Sequence, residues 1–137
     1  GIVGGAMLAT GGVALTDRNT DTTPIAAPPV IASASLAALP QHQGGGTAEI
    51  IETDAGAELI VDASDLSSGD GFYEVWLIDP ATSQMIGLGA LIDNSGRFPI
   101  PDGLDLSRYT LVDVSLEPLD GDPVHSTDSV VRGELAT

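Results

Sequence analysis

Leu111-Val112-Asp113-Val114-Ser115-Leu116-Glu117 alternates without a break, with Val112, Val114 and Leu116 on one side and Asp113, Ser115 and Glu117 on the other. Period two is the pleat of a β-strand. One apolar side and one polar side predict an antiparallel sheet with one buried and one wet face. Residues 58–63 repeat the pattern, Leu59, Val61 and Ala63 opposing Glu58, Ile60 and Asp62. From about Ile31 onward, short apolar runs recur between clusters of Gly, Pro, Asp and Ser. They place strands at 32–38, 47–53, 57–63, 72–79, 84–92, 97–100, 109–117 and 129–135. Strands this short and evenly spaced predict an all-β fold, an antiparallel β-sandwich of seven to eight strands.

The connections agree with that reading. Asp54-Ala55-Gly56 and Asp93-Asn94-Ser95-Gly96 are hairpin turns in which glycine is free to take positive φ. Pro99 has no N–H to give a ladder, so its strand belongs at a sheet edge. Residues 102–108 (DGLDLSR) predict one helical turn capped by Asp102 or Asp105. No segment sustains a 3.6-residue period, and there are no repeats.

Ahead of the strands the composition changes twice. Residues 1–15 (GIVGGAMLATGGVAL) carry no charge, and residues 16–31 (TDRNTDTTPIAAPPVI) read as an extended linker. Fifteen residues fall short of the ~20 that span a bilayer. The apolar segment is therefore expected to be either the outer part of a membrane helix or a tail buried in a neighbouring subunit. The only basic residue of the linker is Arg18, which places this flank and the folded part (32–137) outside the cytoplasm.

The 137 residues include 20 acids against four arginines and no lysine, a net charge of −16. Such a surface repels phosphate backbones and excludes nucleic acid as a partner. Cysteine is absent, so disulfides and thiolate metal sites are excluded. With aromatics at only 4%, the core must be built from Val, Ile, Leu and Ala, which suits a pleated sheet better than a ring-walled pocket.

A search for catalytic chemistry returns little. His42 (in PQHQGGG) and His125 (in GDPVHSTD) each stand alone and read as solvent-exposed loop residues. Ser126 with Asp122 or Asp128 supplies triad residue types around His125, but without a nucleophile-elbow context. Asp62, Asp65 and Asp70, or Asp120, Asp122 and Asp128, do not follow a calcium-loop spacing and read as turn residues. Gly44-Gly45-Gly46 lacks the Lys and Ser/Thr of a phosphate-binding loop. Trp76, between Val75 and Leu77, reads as a core or near-core anchor. The expectation is a protein that is not an enzyme and has no cofactor, metal or catalytic residue.

Phe72-Tyr73-Glu74-Val75-Trp76-Leu77-Ile78-Asp79-Pro80 closely resembles the hallmark run of the C-terminal domain of anti-sigma-K factors. More of that pattern follows in order. Gly87-Leu88-Gly89 is similar to the family's glycine strand, and Gly96-Arg97-Phe98 and the run from Pro101 to Ser107 look like its next turn. Val114-Ser115-Leu116-Glu117-Pro118 and Val130-Val131-Arg132-Gly133-Glu134-Leu135 complete it. The resemblance covers residues 32–135. It implies structural motif positions at Tyr73, Glu74, Trp76, Leu77, Ile78, Pro80, Gly87, Ser115, Leu116, Glu117, Pro118 and Gly133, and no catalytic ones.

It also implies an architecture. A cytoplasmic N-terminal domain, not part of this sequence, binds a sigma factor, one helix crosses the cell membrane, and the β domain lies outside. Regulatory proteases then release the sigma factor. The alternative expectation is a secreted, self-assembling surface or filament subunit, a homo-oligomer in which the apolar tail (1–15) inserts into a neighbour.

Overall fold

The computed structural model describes residues 27–137. Expectations for the apolar segment 1–15 and for most of the linker lie outside those residues. Eight strands follow in chain order: β1 (Val30–Ala38), β2 (Gly45–Thr53), β3 (Gly56–Ser64), β4 (Phe72–Ile78), β5 (Met85–Ala90), β6 (Ser95–Pro99), β7 (Leu111–Glu117) and β8 (Ser129–Glu134). There is no helix among the described residues. Residues 102–108 form turns instead, in which Asp105 accepts from the Ser107 N–H at 3.0 Å and so closes an Asx turn.

All pairings are antiparallel, in the single sheet order β5-β4-β7-β8-β1-β2-β3-β6. The sheet curls until its two end strands, β5 and β6, approach one another across the hairpin at Asp93-Asn94. One apolar cluster fills the curl, with Ala48, Ile50, Leu59 and Val61 from one half meeting Val75, Leu77, Val112, Val114, Val130 and Val131 from the other. Pro99 lies on end strand β6, where its missing N–H costs no ladder bond. Phe98 is buried at the seam, against Gly89 of β5 and Gly96.

The two hairpins solve their turns differently. Gly56 takes φ +117°, as its place after Asp54-Ala55 predicts. In the second hairpin the positive φ falls on Asp93 (53°) and Asn94 (64°), the two central residues of a type I′ turn. Gly96 is needed there for space, because a Cβ would overlap the Phe98 ring.

β1 and β8 are joined over only two register pairs, Ala37 with Arg132 and Ala38 with Val131. Closure there depends on Gly133, where a Cβ would overlap the Ser35 carbonyl oxygen. Backbone cannot retreat as a flexible side chain does, so Gly133→Ala is expected to destabilise the fold by about 1–3 kcal/mol or more. Urea denaturation of the variant measures this directly.

Candidate functional site

β7 departs from the simple pattern of its sequence. Val112 and Val114 enter the core as expected, yet Asp113, Ser115 and Glu117 on the opposite side are buried as well. The face expected to be wet is covered by residues 118–128, which cross it as a strap. Asp113 and Ser115 are 0% exposed. A charge so placed persists only when it is paired and hydrogen-bonded, and the surrounding elements supply those partners.

Three donors converge on Asp113. His125 from the strap contacts Oδ2 through Nε2 at 2.8 Å, the Ser129 hydroxyl donates to the same oxygen at 2.9 Å, and Arg132 of β8 donates Nε–H to Oδ1 at 2.9 Å. The β7–β8 register sets Arg132 directly opposite Asp113, so strand pairing itself delivers the counter-ion. The Thr127 N–H donates to His125 Nδ1 at 2.7 Å. In the neutral imidazole that leaves the proton on Nε2, the nitrogen that faces the carboxylate.

A second group adjoins the first. Trp76 of β4 donates its indole N–H to Ser115 Oγ at 2.9 Å, and Ser115 donates to Glu117 Oε2 at 2.5 Å. The Ser126 N–H reaches both Glu117 oxygens at 3.0 and 3.1 Å, while its hydroxyl donates to the Leu116 carbonyl at 2.7 Å. The Trp76 ring lies 4.8 Å from the His125 ring, centroid to centroid, joining the two groups under the strap.

Both histidines therefore correct their sequence reading. The His125 side chain is only 7% exposed and pins the strap, because Asp113 and Trp76 wait beneath it. His42 is half-buried and contacts Asp128 through Nε2 at 2.8 Å, tying its loop to the far end of the strap. Nor do the triad residue types around His125 form a nucleophile. Both ring nitrogens are engaged, and the Ser126 hydroxyl is turned to the Leu116 carbonyl. Among the described residues no three His, Asp or Glu side chains gather as a metal site.

Several residues of the sequence motif meet here. Glu74, Trp76, Ser115 and Glu117 stand on the covered face, and Gly87 lies opposite Trp76 in β5. A Cβ at Gly87 would come within 2.7 Å of Glu74 Oε2 and 3.2 Å of the indole. Leu77 and Ile78 are buried, the Tyr73 hydroxyl donates to the Ser67 carbonyl, and Gly133 sits at the β1–β8 closure. Leu116 is half-buried against the core, while Pro80 and Pro118 are exposed in the turns that end β4 and β7. Asp113, His125, Ser126, Ser129 and Arg132 carry as much of the network, but sequence reading gave them no role in it. Their one signal is the run of Asp113, Ser115 and Glu117 on one side of a strand.

Burial and electrostatics oppose one another at the carboxylates. At Glu117 desolvation pushes the pKa upward, but the bonds from Ser115 and Ser126 outweigh it and hold the group below its ordinary value. Asp79 is also held low: burial raises it, and the Ala81 N–H and the two-pronged Arg108 guanidinium pull it down further. Glu74 goes the other way, raised first by burial and then by the negative charge of Glu117.

The signs give a prediction. Glu117 and Asp79 contribute stability above the ordinary carboxylate pKa of about 4, and it is lost as pH falls through their lower folded values. Glu74 contributes below its unfolded pKa and loses that contribution as pH rises through its folded value. Urea denaturation from pH 3 to 7 is expected to show net acid destabilisation. Glu74→Gln should be more stable than the parent at pH 7, with the difference closing on acidification.

Residues 2–130 match the family model described as Anti-sigma-K factor rskA, C-terminal. No curated protein and no solved structure matches the chain. The match spans the described β domain up to the start of β8, including the Trp76–Ser115–Glu117 relay and the strap above it, together with most of the preceding segment. The chain belongs to the family of anti-sigma-K factor C-terminal domains.

Proposed function

We propose that this chain is the extracytoplasmic regulatory domain of a membrane-anchored anti-sigma factor, and that it controls sigma-factor release through regulated proteolysis. The observation that carries the reading is the family match. It begins at residue 2 and so takes in the apolar segment, the linker and the β domain as one unit. A sigma factor is the partner the family implies, the apolar segment is the membrane contact, and regulatory proteases act on the chain. The β domain serves without catalysis: its buried polar groups spend their hydrogen bonds on holding the strap. No helix among the described residues is long and apolar enough to cross a membrane.

A domain of this kind regulates proteolysis through local opening, since a protease needs an extended segment that a fastened strap withholds. Exchange of residues 32–137 for an unrelated β domain within the native anti-sigma factor is the test. A sigma-dependent reporter should lose its signal response. An unchanged response, with the hybrid present at normal level in the membrane, sinks the reading. A phosphatase fused after Thr137 should be active only outside the cytoplasm, and activity confined to the cytoplasm contradicts the proposed orientation.

One observation favours the second reading, an assembling subunit. End strand β5 (MIGLGA) bears no charge and no proline, the features that usually protect an open edge. Sedimentation of the chain with and without residues 1–16 separates the two. Oligomers that vanish with the deletion favour assembly, and monomers in both cases remove it.

A further inference from the structure

Between the first half of the strap and β4 lies a groove of about 440 Å³. Phe72, Pro118, Leu119 and Pro123 give it apolar walls, and Glu74 and Asp122 give it two carboxylates. Leu119 is 81% exposed there. Gly87, exposed on β5, lies beside Glu74, where a Cβ would come within 2.7 Å of its Oε2.

Among the described residues no cation serves this groove. The chain has no lysine, and each arginine among the described residues is engaged elsewhere: Arg97 on Glu58, Arg108 on Asp79 and Arg132 on Asp113. Glu74 makes no ion pair among the described residues. The negative charge of Glu117 adds to the effect of burial on it, and His125 acts in the opposite sense. Burial and that repulsion hold its carboxyl above its ordinary value, so a cation brought to it offsets an existing electrostatic cost.

We propose that this groove docks a basic, extended peptide segment of a partner protein. An arginine or lysine head sits on Glu74 and Asp122, and an adjoining apolar side chain lies against Phe72, Leu119 and the two prolines. A second copy of this chain is a poor occupant: each copy carries a net charge of −16, and its described arginines are already paired. A basic partner is drawn to the same field, and the apolar walls make the contact selective for more than charge. The proposal is independent of the anti-sigma reading, because it concerns a surface and not the pathway that surface serves.

The test titrates the ¹⁵N-labelled full chain with capped Leu-Arg-Leu, Leu-Glu-Leu and Gly-Arg-Gly peptides and follows amide shifts. Saturable shifts at Phe72, Glu74, Leu119 and Asp122 are expected with Leu-Arg-Leu, and Gly-Arg-Gly should bind several-fold more weakly. Glu74→Gln should weaken Leu-Arg-Leu binding by about five- to tenfold, the scale of one charge-assisted hydrogen bond. This variant is expected to fold at least as well as the parent, so a loss of binding is not a loss of structure. Glu49→Gln, at an exposed position of β2, should leave affinity unchanged. Absence of saturable shifts at millimolar peptide, equal binding of Leu-Glu-Leu, or equal weakening by Glu49→Gln and Glu74→Gln would each overturn the proposal.

Discussion

Arg132→Met is expected to lower the unfolding free energy by about 3–5 kcal/mol, because it strands the Asp113 carboxylate at 0% exposure without its guanidinium partner. The cost comes from the charge left behind, since Arg132 itself is 37% exposed along its side chain. That distinction can be measured. Asp113→Asn combined with Arg132→Met removes the buried charge together with its partner. It should be less destabilising than the sum of the two single changes, by more than the few tenths of a kcal/mol that independent sites show. Urea denaturation followed by Trp76 fluorescence reads all three variants. Strict additivity would mean that Asp113 and Arg132 do not act as a pair, and that β7 and β8 are held by their ladder alone.

Trp76→Ala is expected to cost a similar ~3–5 kcal/mol by a different route. The indole is 6% exposed yet lies outside the central apolar cluster, on the covered face of the sheet. Its removal opens a cavity under the strap and takes away the surface against which His125 packs. Trp76→Phe separates the two contributions. A ring is kept and only the N–H donated to Ser115 is lost, so about 0.5–1.5 kcal/mol is expected. Amide hydrogen exchange places the damage. In Trp76→Ala the Ser126 and Asp128 amides, which bond across to Glu117 and within the strap, should exchange faster well before those of β2. Uniform acceleration across the whole sheet would mean that the strap has no separate opening and would count against its regulatory role.

The two variants share a theme with the pH behaviour. Each acts on groups whose burial is tolerable only while the strap is seated. The strap's own apolar residues, Leu119 and Val124, face solvent, so polar contacts and the tilted Trp76–His125 ring contact hold it down. Hydrophobic burial is non-directional and gradual, whereas a set of buried hydrogen bonds is satisfied or broken together. A segment fastened in the second manner opens as a unit, and that behaviour suits a regulatory domain.

Particular residues show where sequence reading succeeds. Alternation in 111–117 and 58–63 marks β7 and β3 because a pleat gives each strand two distinct sides whatever lies around it. Gly56 takes the positive φ that its turn requires, and Pro99 lies on an end strand because a missing N–H is a local fact. Trp76 is buried, as its apolar neighbours predict. The ordered motifs from Tyr73 to Leu135 identify the family ahead of any coordinates. The second hairpin is the local exception: Asp93 and Asn94 take the positive φ expected of Gly96, since a type I′ turn tolerates both residues and Phe98 needs the space.

The covered face was not legible, and the reason is physical. Period two says that Asp113, Ser115 and Glu117 share a side and is silent about what lies over it. The cover is a stretch of Pro, Asp, Gly, His, Ser and Thr with no periodic signature, indistinguishable in sequence from a solvated loop. Whether His125 is wet or buried depends on Asp113, twelve positions away, and on Trp76 in another strand. Whether Asp113 survives burial depends on the β7–β8 register that sets Arg132 against it. The sequence by itself determined the strands, most of the turn chemistry, the acidic surface and the family. Tertiary structure alone decided which polar side chains became core, because burying a charge needs a counter-ion that only non-local strand pairing can deliver.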